Sequence, residues 1–433
     1  MGIRDMTPRV AFETIGCRLN QYETESMAAQ LLLKGFKRVA FEEEADLYII
    51  NTCTVTGRAD ASCRRAISVA ARRDGKARVV VVGCLVSATP EEVARLNGVD
   101  LIINNRQKDD IVQLLNRKWP ELFSDQREKS QAPFLSEFYQ HNRAWVKIGD
   151  GCNQNCSYCI VPLVRGRLVN RPPREIIGEI DSLVRSGYRE VVLTGVHIGN
   201  YYYDNISSLT ALLETILRET AVSRIRLSSI EPQEITSELI EFIATNSPRV
   251  CRHLHLPLQS GSNRILRLMH RPYTSEKYRD TAKAIKDSIE NVTIGADVIV
   301  GFPSESEDDF AQTVALAESG FLDYLHVFSY SDRKGTEASQ LGGKLKPFII
   351  KERNETLRKI SEASYRKVLK RQSGNILGAI AERKSKKGEI CWGITDNYLK
   401  ISMPPSEGDE REIVPLKVDA IGDGFLVGSQ ISN

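Results

Sequence analysis

Six times between Ala144 and Tyr330 a short apolar run is followed by a helical stretch, and this alternation constrains the fold more than any other feature of the chain. Strands are expected at Ala144–Gly149, Glu190–Gly195, Arg224–Ser229, His253–Leu258, Val292–Gly301 and Tyr324–Tyr330. Helical stretches are expected at Pro173–Ser186, Ser208–Glu219, Ser275–Glu290 and Glu305–Ser319, the last two with acidic residues in their first turn. Six βα units imply a partial or open (βα)6 barrel rather than a closed eight, with chemistry on the loops after the strands. Residues 1–115 show the same alternation, with strands at Arg9–Ile15, Asp46–Asn51, Arg78–Gly83 and Asp100–Asn104, which implies a doubly wound, mostly parallel sheet. Residues 116–141 read as a linker, and 142–370 as a core closed by a charged helix at Pro347–Arg371. In 371–433 the short runs Ile376–Ala381, Glu389–Gly393, Tyr398–Ser402, Glu412–Val418 and Phe425–Val427 imply a small antiparallel β-barrel. The class is α/β.

The charge balance says little about partners: 59 Lys and Arg against 56 Asp and Glu leave +3 over 433 residues. No uncharged apolar run reaches the roughly 18 residues of a membrane helix, and no signal-peptide core is present, so a soluble, cytoplasmic protein is expected. Nine cysteines spread over the chain argue for thiols used as ligands or nucleophiles rather than for a disulfide framework.

Three of them form Cys152-Asn-Gln-Asn-Cys156-Ser-Tyr-Cys159 at the end of the first core strand. Three thiolates so spaced can wrap one face of a [4Fe–4S] cluster and leave one iron open, because the next cysteine is Cys251. Zinc favours four closed ligands in paired arms, and no His-x3–5-His arm is present. A ferredoxin run would carry four cysteines and end in Cys-Pro. This motif, with Tyr158 before its last cysteine, resembles that of the radical S-adenosylmethionine (SAM) enzymes. The resemblance implies that SAM chelates the open iron and is cleaved by an electron from the cluster to a 5′-deoxyadenosyl radical.

The later strand ends fit the same family: Thr194-Gly195 after strand two, Ser229-Ile230-Glu231 after strand three, Gln259-Ser260 after strand four and Asp297 in strand five. The resemblance makes Tyr158, Thr194, Gly195, Ser229, Glu231, Gln259, Ser260 and Asp297 candidates for SAM binding. Cys17, Cys53 and Cys84 each follow a strand of the N-terminal sheet, whose carboxyl ends share one edge. Buried structural thiols are the plain alternative. Together with the radical SAM motif, this trio resembles the methylthiotransferase family, in which it holds a second [4Fe–4S] cluster, also with an open iron. Cys63, Cys251 and Cys391 match no family motif and read as structural thiols.

Thr14-Ile15-Gly16-Cys17-Arg18-Leu19-Asn20-Gln21-Tyr22-Glu23-Thr24 and Asn51-Thr52-Cys53-Thr54-Val55-Thr56 resemble the threonylcarbamoyladenosine tRNA branch. The resemblance implies a methylthio group added to C2 of that nucleoside beside the tRNA anticodon. One SAM would methylate sulfur at the first trio, and a second would be cleaved at the other to abstract hydrogen from C2. An aromatic C–H has no usable acidity, which accounts for the lack of a general-base constellation. Alternatives within the class are isopentenyl-adenosine in tRNA and an aspartate of a ribosomal protein. Outside it stands a non-catalytic Fe–S protein that binds RNA or carries electrons. A reductant and a sulfur donor are implied partners.

Two basic patches could serve RNA. Arg58, Arg64, Arg65, Arg72, Arg73, Lys76 and Arg78 form the first. Arg366, Lys367, Lys370, Arg371, Arg383, Lys384, Lys386 and Lys387 form the second, beside Thr395-Asp396-Asn397-Tyr398-Leu399, which resembles the TRAM RNA-binding barrel. Tyr398 can be a base-stacking or a core aromatic, and Trp392 reads as core. Arg165, Arg167 and Arg171 are candidates for the threonylcarbamoyl carboxylate, because arginine pairs with carboxylate in bidentate fashion. Asn170 stands where the family more often has Ser.

Overall fold

The computed structural model describes residues 7–73, 77–123, 135–384, 391–403 and 410–431, with 383 and 384 described by their backbone alone. The N-terminal sheet contains β1 (Arg9–Thr14), β2 (Lys37–Val39), β3 (Leu47–Thr52), β4 (Arg78–Gly83) and β5 (Leu101–Ile103). All pairs are parallel, in the order β2-β1-β3-β4-β5. Side chains alternate between the two faces of a strand. Tyr48, Ile50, Val79 and Val81 therefore pack with Ile67 and Ala70 on one face, and Leu47, Ile49, Val80 and Val82 pack with Met27, Leu31 and Leu115 on the other. Both faces are covered, as a parallel sheet requires. β2 lies outside the expected strands: it is a three-residue edge, too short to leave a pattern.

The core contains β6 (Ala144–Lys147), β7 (Gly149–Asp150), β8 (Val169–Asn170), β9 (Glu190–Thr194), β10 (Arg224–Leu227), β11 (His253–His255), β12 (Thr293–Val300) and β13 (Tyr324–Ser329). β6, β9 and β10 form one parallel sheet, and β11, β12 and β13 another. A parallel bridge between Ile225 and Val250 joins the two, with Ile225 N donating to Arg249 O at 2.8 Å and Cys251 N to Ile225 O at 2.9 Å. The result is an open six-stranded arc, with β7 and β8 as an added antiparallel pair. Helices at Leu209–Glu219, Ser237–Thr245, Asn263–Leu268, Ser275–Ser288 and Glu307–Glu318 each start at a Ser or Thr whose hydroxyl accepts from the first-turn backbone. Such caps fix where the chain leaves each strand-end loop.

The helix Pro347–Arg371 leads into β14 (Ile376–Lys384), β15 (Cys391–Thr395), β16 (Lys400–Met403), β17 (Val414–Ile421) and β18 (Leu426–Gln430). These close as β14-β15-β16-β18-β17. The β16–β18 pair is parallel, a departure from the all-antiparallel expectation, because the barrel closes between non-consecutive strands. Three core arginines fasten this barrel under the arc. Arg224 donates to Gly378 O at 2.9 Å, Arg226 to Thr395 O and Asp396 O at 2.9 and 3.0 Å, and Arg252 pairs with Asp396 at 2.7 Å. Among the described residues no helix is long and apolar enough to cross a membrane.

Candidate cluster and cofactor site

Parallel pairing of β1, β3 and β4 brings the chain to Cys17, Cys53 and Cys84 at one sheet edge. Cys17 is exposed and precedes the helix Arg18–Leu33, Cys53 follows β3, and Cys84 opens the short helix Cys84–Ala88. Polar side chains knit the three ends. Asn20 Nδ2 donates to Ile15 O and Thr52 O at 2.7 and 3.0 Å, and Thr52 Oγ1 donates to Val82 O at 2.6 Å. Gly16 has φ +115°, and a Cβ there would stand 2.6 Å from Cys53 Cβ. Only glycine lets the two cysteine loops approach this closely. The charges of the three thiols act on one another, and burial pushes Cys53 up to about 12. A metal must therefore displace its proton on binding.

The second trio lies in a loop after β7. Cys152 N donates to Gly166 O at 3.1 Å, and Ser157 is held to Met269 O and Leu268 O at 3.1 and 2.7 Å. Gly151 has φ +75°, and a Cβ there would stand 2.1 Å from Arg167 O. These thiols have donors of their own: Arg271 Nη1 reaches Cys156 Sγ at 3.2 Å and Gln154 N reaches Cys152 Sγ at 3.3 Å. His197 Nδ1 lies 3.7 Å from Cys152 Sγ, and its Nε2 faces Glu234. Burial pushes Cys159 up to about 12, and the thiols of this loop also influence one another. Among the described residues no three His, Cys, Asp or Glu side chains converge as they would on a single ion.

The segment Ile160–Arg165, directly after Cys159, lies against the Cys84 loop. Ile160 and Val164 pack directly on Cys84, and Asn105 Nδ2 donates both to Cys84 Sγ at 3.3 Å and to Val164 O at 2.9 Å. Behind it lies a buried charge group. Glu23 accepts from Arg165 at 2.8 Å and pairs with Lys108, and Arg165 also meets Asp150 at 3.0 Å and Asn20 at 2.6 Å. Burial alone would raise the Glu23 carboxyl, but Lys108 and Arg165 hold it well below the usual range.

The SAM candidates ring the open end of the arc. Thr194 is buried and its carbonyl accepts from Ile148 N at 2.9 Å, while a Cβ on Gly195 would come within 2.8 Å of Gly149 O. Ser229 Oγ lies 2.8 Å from His255 Nδ1, and Asp297 lies 3.3 Å from His255 Nε2. Glu231 pairs with Arg271, whose Nε donates to Tyr273 OH at 3.0 Å. Gln259 has φ +65°, a costly conformation away from glycine, and Ser260 is fully buried. Tyr158 packs on Ile265, Met269 and Phe302. Ser228 Oγ, both amide atoms of Gln233 and Glu234 Oε2 are buried without a hydrogen-bond partner. Such orphans at a strand-end rim suit a polar ligand, so the residues present fit SAM.

Arg271, His197 and Glu23 had no role assigned from the sequence, since each acts through a partner distant along the chain. Of the carboxylate candidates, Arg165 is taken up by Glu23 and Asp150. Arg171 is held by Glu179 at 2.8 Å, Lys147 O at 2.8 Å and Tyr22 OH at 3.2 Å. Both thereby tie the core to the N-terminal domain, Arg165 through Glu23 and Asn20 and Arg171 through Tyr22. Arg167 is exposed. Tyr398 is half-buried, stacking on His253 and accepting from Arg18, and Trp392 packs edge-on against Phe425 at 4.9 Å. In the second basic patch, Lys386 and Lys387 lie outside the described residues, as do the side chains of Arg383 and Lys384. Lys76 of the first patch also lies outside them. Asn170 Nδ2 donates to Asn200 O and Tyr202 O at 3.3 and 3.2 Å.

Residues 9–104 match the family described as Uncharacterized protein family UPF0004, and residues 146–317 match the Radical SAM superfamily. Among solved structures, the fold is similar to that of the radical SAM methyltransferase TsrM from Kitasatospora setae. The TM-score is 0.59 at 14% identity, over 77% of this chain and 74% of that one. Fold and thiol loops together define a radical SAM protein with an added N-terminal domain. The relatives narrow this. The threonylcarbamoyladenosine tRNA methylthiotransferase MtaB of Aquifex aeolicus is 37% identical, over 91% of this chain and 96% of that protein. Its Bacillus subtilis counterpart is 35% identical over 97% and 95%. The tRNA-2-methylthio-N(6)-dimethylallyladenosine synthase of Thermotoga petrophila is 35% identical over 98% and 97%. The chain belongs to the radical SAM methylthiotransferase family.

Proposed function

We propose that this protein is a tRNA methylthiotransferase that adds a methylthio group to C2 of threonylcarbamoyladenosine beside the anticodon. Its partners would be tRNA, a reductant and a sulfur donor, in the cytoplasm, and its domains would divide at 1–115, 142–370 and 371–433. The observation that carries the reading is the packing of Cys84 against Ile160 and Val164, just after Cys159, in a chain similar over nearly its whole length to enzymes of that name. Cys17, Cys53 and Cys84 would hold one [4Fe–4S] cluster, and Cys152, Cys156 and Cys159 the other. When bound, clusters and SAM supply the one-electron and methyl-transfer chemistry that no side chain of the chain offers.

The chain's own residues do the placing. Arg271 bonds the Cys156 sulfur and keeps Glu231 at the rim. Asn105 ties the Cys84 loop to the segment beside Cys159, and Glu23 clamps Arg165 and Lys108 so that the N-terminal edge stays over the arc. Ser229, Gln259, Asp297 and the unpartnered Gln233 would orient SAM. The test is a nucleoside digest of tRNA from a deletion strain. Loss of the 2-methylthio-threonylcarbamoyl nucleoside is expected. Its persistence, with loss of the isopentenyl counterpart, would move the substrate to the other tRNA branch.

A further inference from the structure

The strands of the arc carry buried polar side chains, Glu190, Arg224, Arg226, His253 and His255 among them, and Arg18 reaches towards them from the N-terminal domain. Arg18, the residue after Cys17, donates through Nη2 to Tyr398 OH at 2.8 Å across 380 positions of sequence, and its guanidinium lies 5.6 Å from the centre of that ring. Tyr398 comes from below, at the tip of the β15–β16 turn. Its φ of +63° is unusual for a residue with a side chain, and its N–H is closed onto Thr395 O at 3.0 Å. The ring stacks on His253 at 4.4 Å with Arg226 over it at 5.1 Å, and His253 Nε2 meets Tyr324 OH at 2.8 Å. The tyrosine is thus clamped from several sides, with its hydroxyl directed at Arg18.

Arg18 differs from the other arginines near the site. Arg165, Arg171, Arg224, Arg226 and Arg271 each have a carboxylate within ion-pair reach. Among the described residues Arg18 has none: its one side-chain bond is to a neutral hydroxyl. The acids facing the same space are engaged elsewhere, Glu190 by Arg224 and Arg226, and Asp297 beside His255. Burial, with smaller contributions from neighbouring positive groups that include Arg18, pushes the His253 and His326 imidazoles down. A half-buried guanidinium that lacks a counter-ion but is held by a clamped hydroxyl is built to accept one from a ligand.

We propose that Arg18, backed by Tyr398, receives the carboxylate of the threonylcarbamoyl group and so separates that nucleoside from uncharged N6-modified adenosines. This rests on the function proposed above. SAM carries a carboxylate too, and the experiment is arranged to tell the two sources apart.

Anticodon stem-loop RNAs carrying threonylcarbamoyladenosine, its threonine methyl ester or isopentenyl-adenosine are titrated against the reconstituted enzyme by fluorescence anisotropy. SAM affinity is measured in parallel by equilibrium dialysis, and iron by assay. Wild type should bind the free acid about tenfold or more tighter than the ester, the scale of one charge-assisted hydrogen-bond pair. Arg18→Gln should bring that ratio to about one, leaving ester binding and SAM affinity in place. Tyr398→Phe, which keeps the charge and removes the backing hydroxyl, should lower the ratio severalfold at normal iron content. It carries the test if Arg18→Gln fails to load iron. An unchanged ratio in both variants overturns the proposal. So does an intact ratio with weakened SAM binding, which would give Arg18 to the SAM carboxylate. A wild type that prefers the isopentenyl RNA instead refutes the substrate reading itself.

Discussion

The two thiol trios reach a similar end by different means. Cys152, Cys156 and Cys159 come from one loop of eight residues, pinned by hydrogen bonds from Ser157 to Leu268 and Met269 and supplied with donors by Arg271 and Gln154. Cys17, Cys53 and Cys84 come from three strand ends, and only the parallel register of β1, β3 and β4 makes them neighbours. A local loop keeps its geometry as long as its own turn is intact. A site assembled from strand ends depends on a whole sheet and on that sheet's seating against the core.

Removing each trio breaks the comparison most severely. The Cys152/Cys156/Cys159 triple alanine should lose about half of the iron and all reductive cleavage of SAM, because the open iron goes with the cluster. The Cys17/Cys53/Cys84 triple alanine should lose a similar share of iron, keep SAM cleavage to 5′-deoxyadenosine and make no methylthio product. Iron and labile-sulfide assays with chromatography of the nucleosides read both, and a single trio that abolished everything would show that the two are not separable.

The seating is tested at Glu23. Glu23→Gln leaves Lys108 and Arg165 buried without their common counter-ion and should cost about 3–5 kcal/mol in denaturant unfolding. Because the folded carboxyl lies below its unfolded value, its stabilisation is complete above the ordinary glutamate range near ~4.3 and is lost as pH falls through the folded value. The wild type should therefore lose stability below about pH 4.5 more steeply than the variant. Parallel curves would remove Glu23 from that role.

The smallest effects sharpen the contrast. Gly16→Ala and Gly151→Ala each force a side chain into a left-handed conformation, costing about 1–2 kcal/mol before any clash. Gly16→Ala pushes on the Cys53 side chain and should lower iron at the first trio while SAM cleavage survives. Gly151→Ala meets the unyielding Arg167 carbonyl and should impair cleavage. Mössbauer spectra of each variant give the cluster lost.

Legibility follows the same division. The βα alternation announced the α/β class, since buried parallel strands such as Arg78–Gly83 are continuous apolar runs, and the helix Pro347–Arg371 ends where its charge pattern does. The loop of Cys152 to Cys159 is local and could be read directly. What stayed hidden was pairwise and distant. Arg271 meets Cys156 across 115 residues, and Glu23 meets Arg165 across 142. Nothing in the spacing of a basic residue tells whether it faces solvent, a phosphate or a buried acid. For that reason the ion pairs of Arg165 and Arg171 could not be foreseen, and Arg18 passed unnoticed inside a motif. Tyr398 was open between two roles because an aromatic at a turn suits either.

Thr395–Tyr398, which hold Arg226 and Arg18 from below, belong to the C-terminal β-barrel rather than to the arc. Until that turn has been made and docked, Arg18 has no anchor and Arg226 has lost its carbonyl acceptors. Loosening of the barrel would therefore leave the six cluster thiols where they are and yet release Arg18 and Arg226, so the seating of this small domain bears on the interior as much as on any surface it offers.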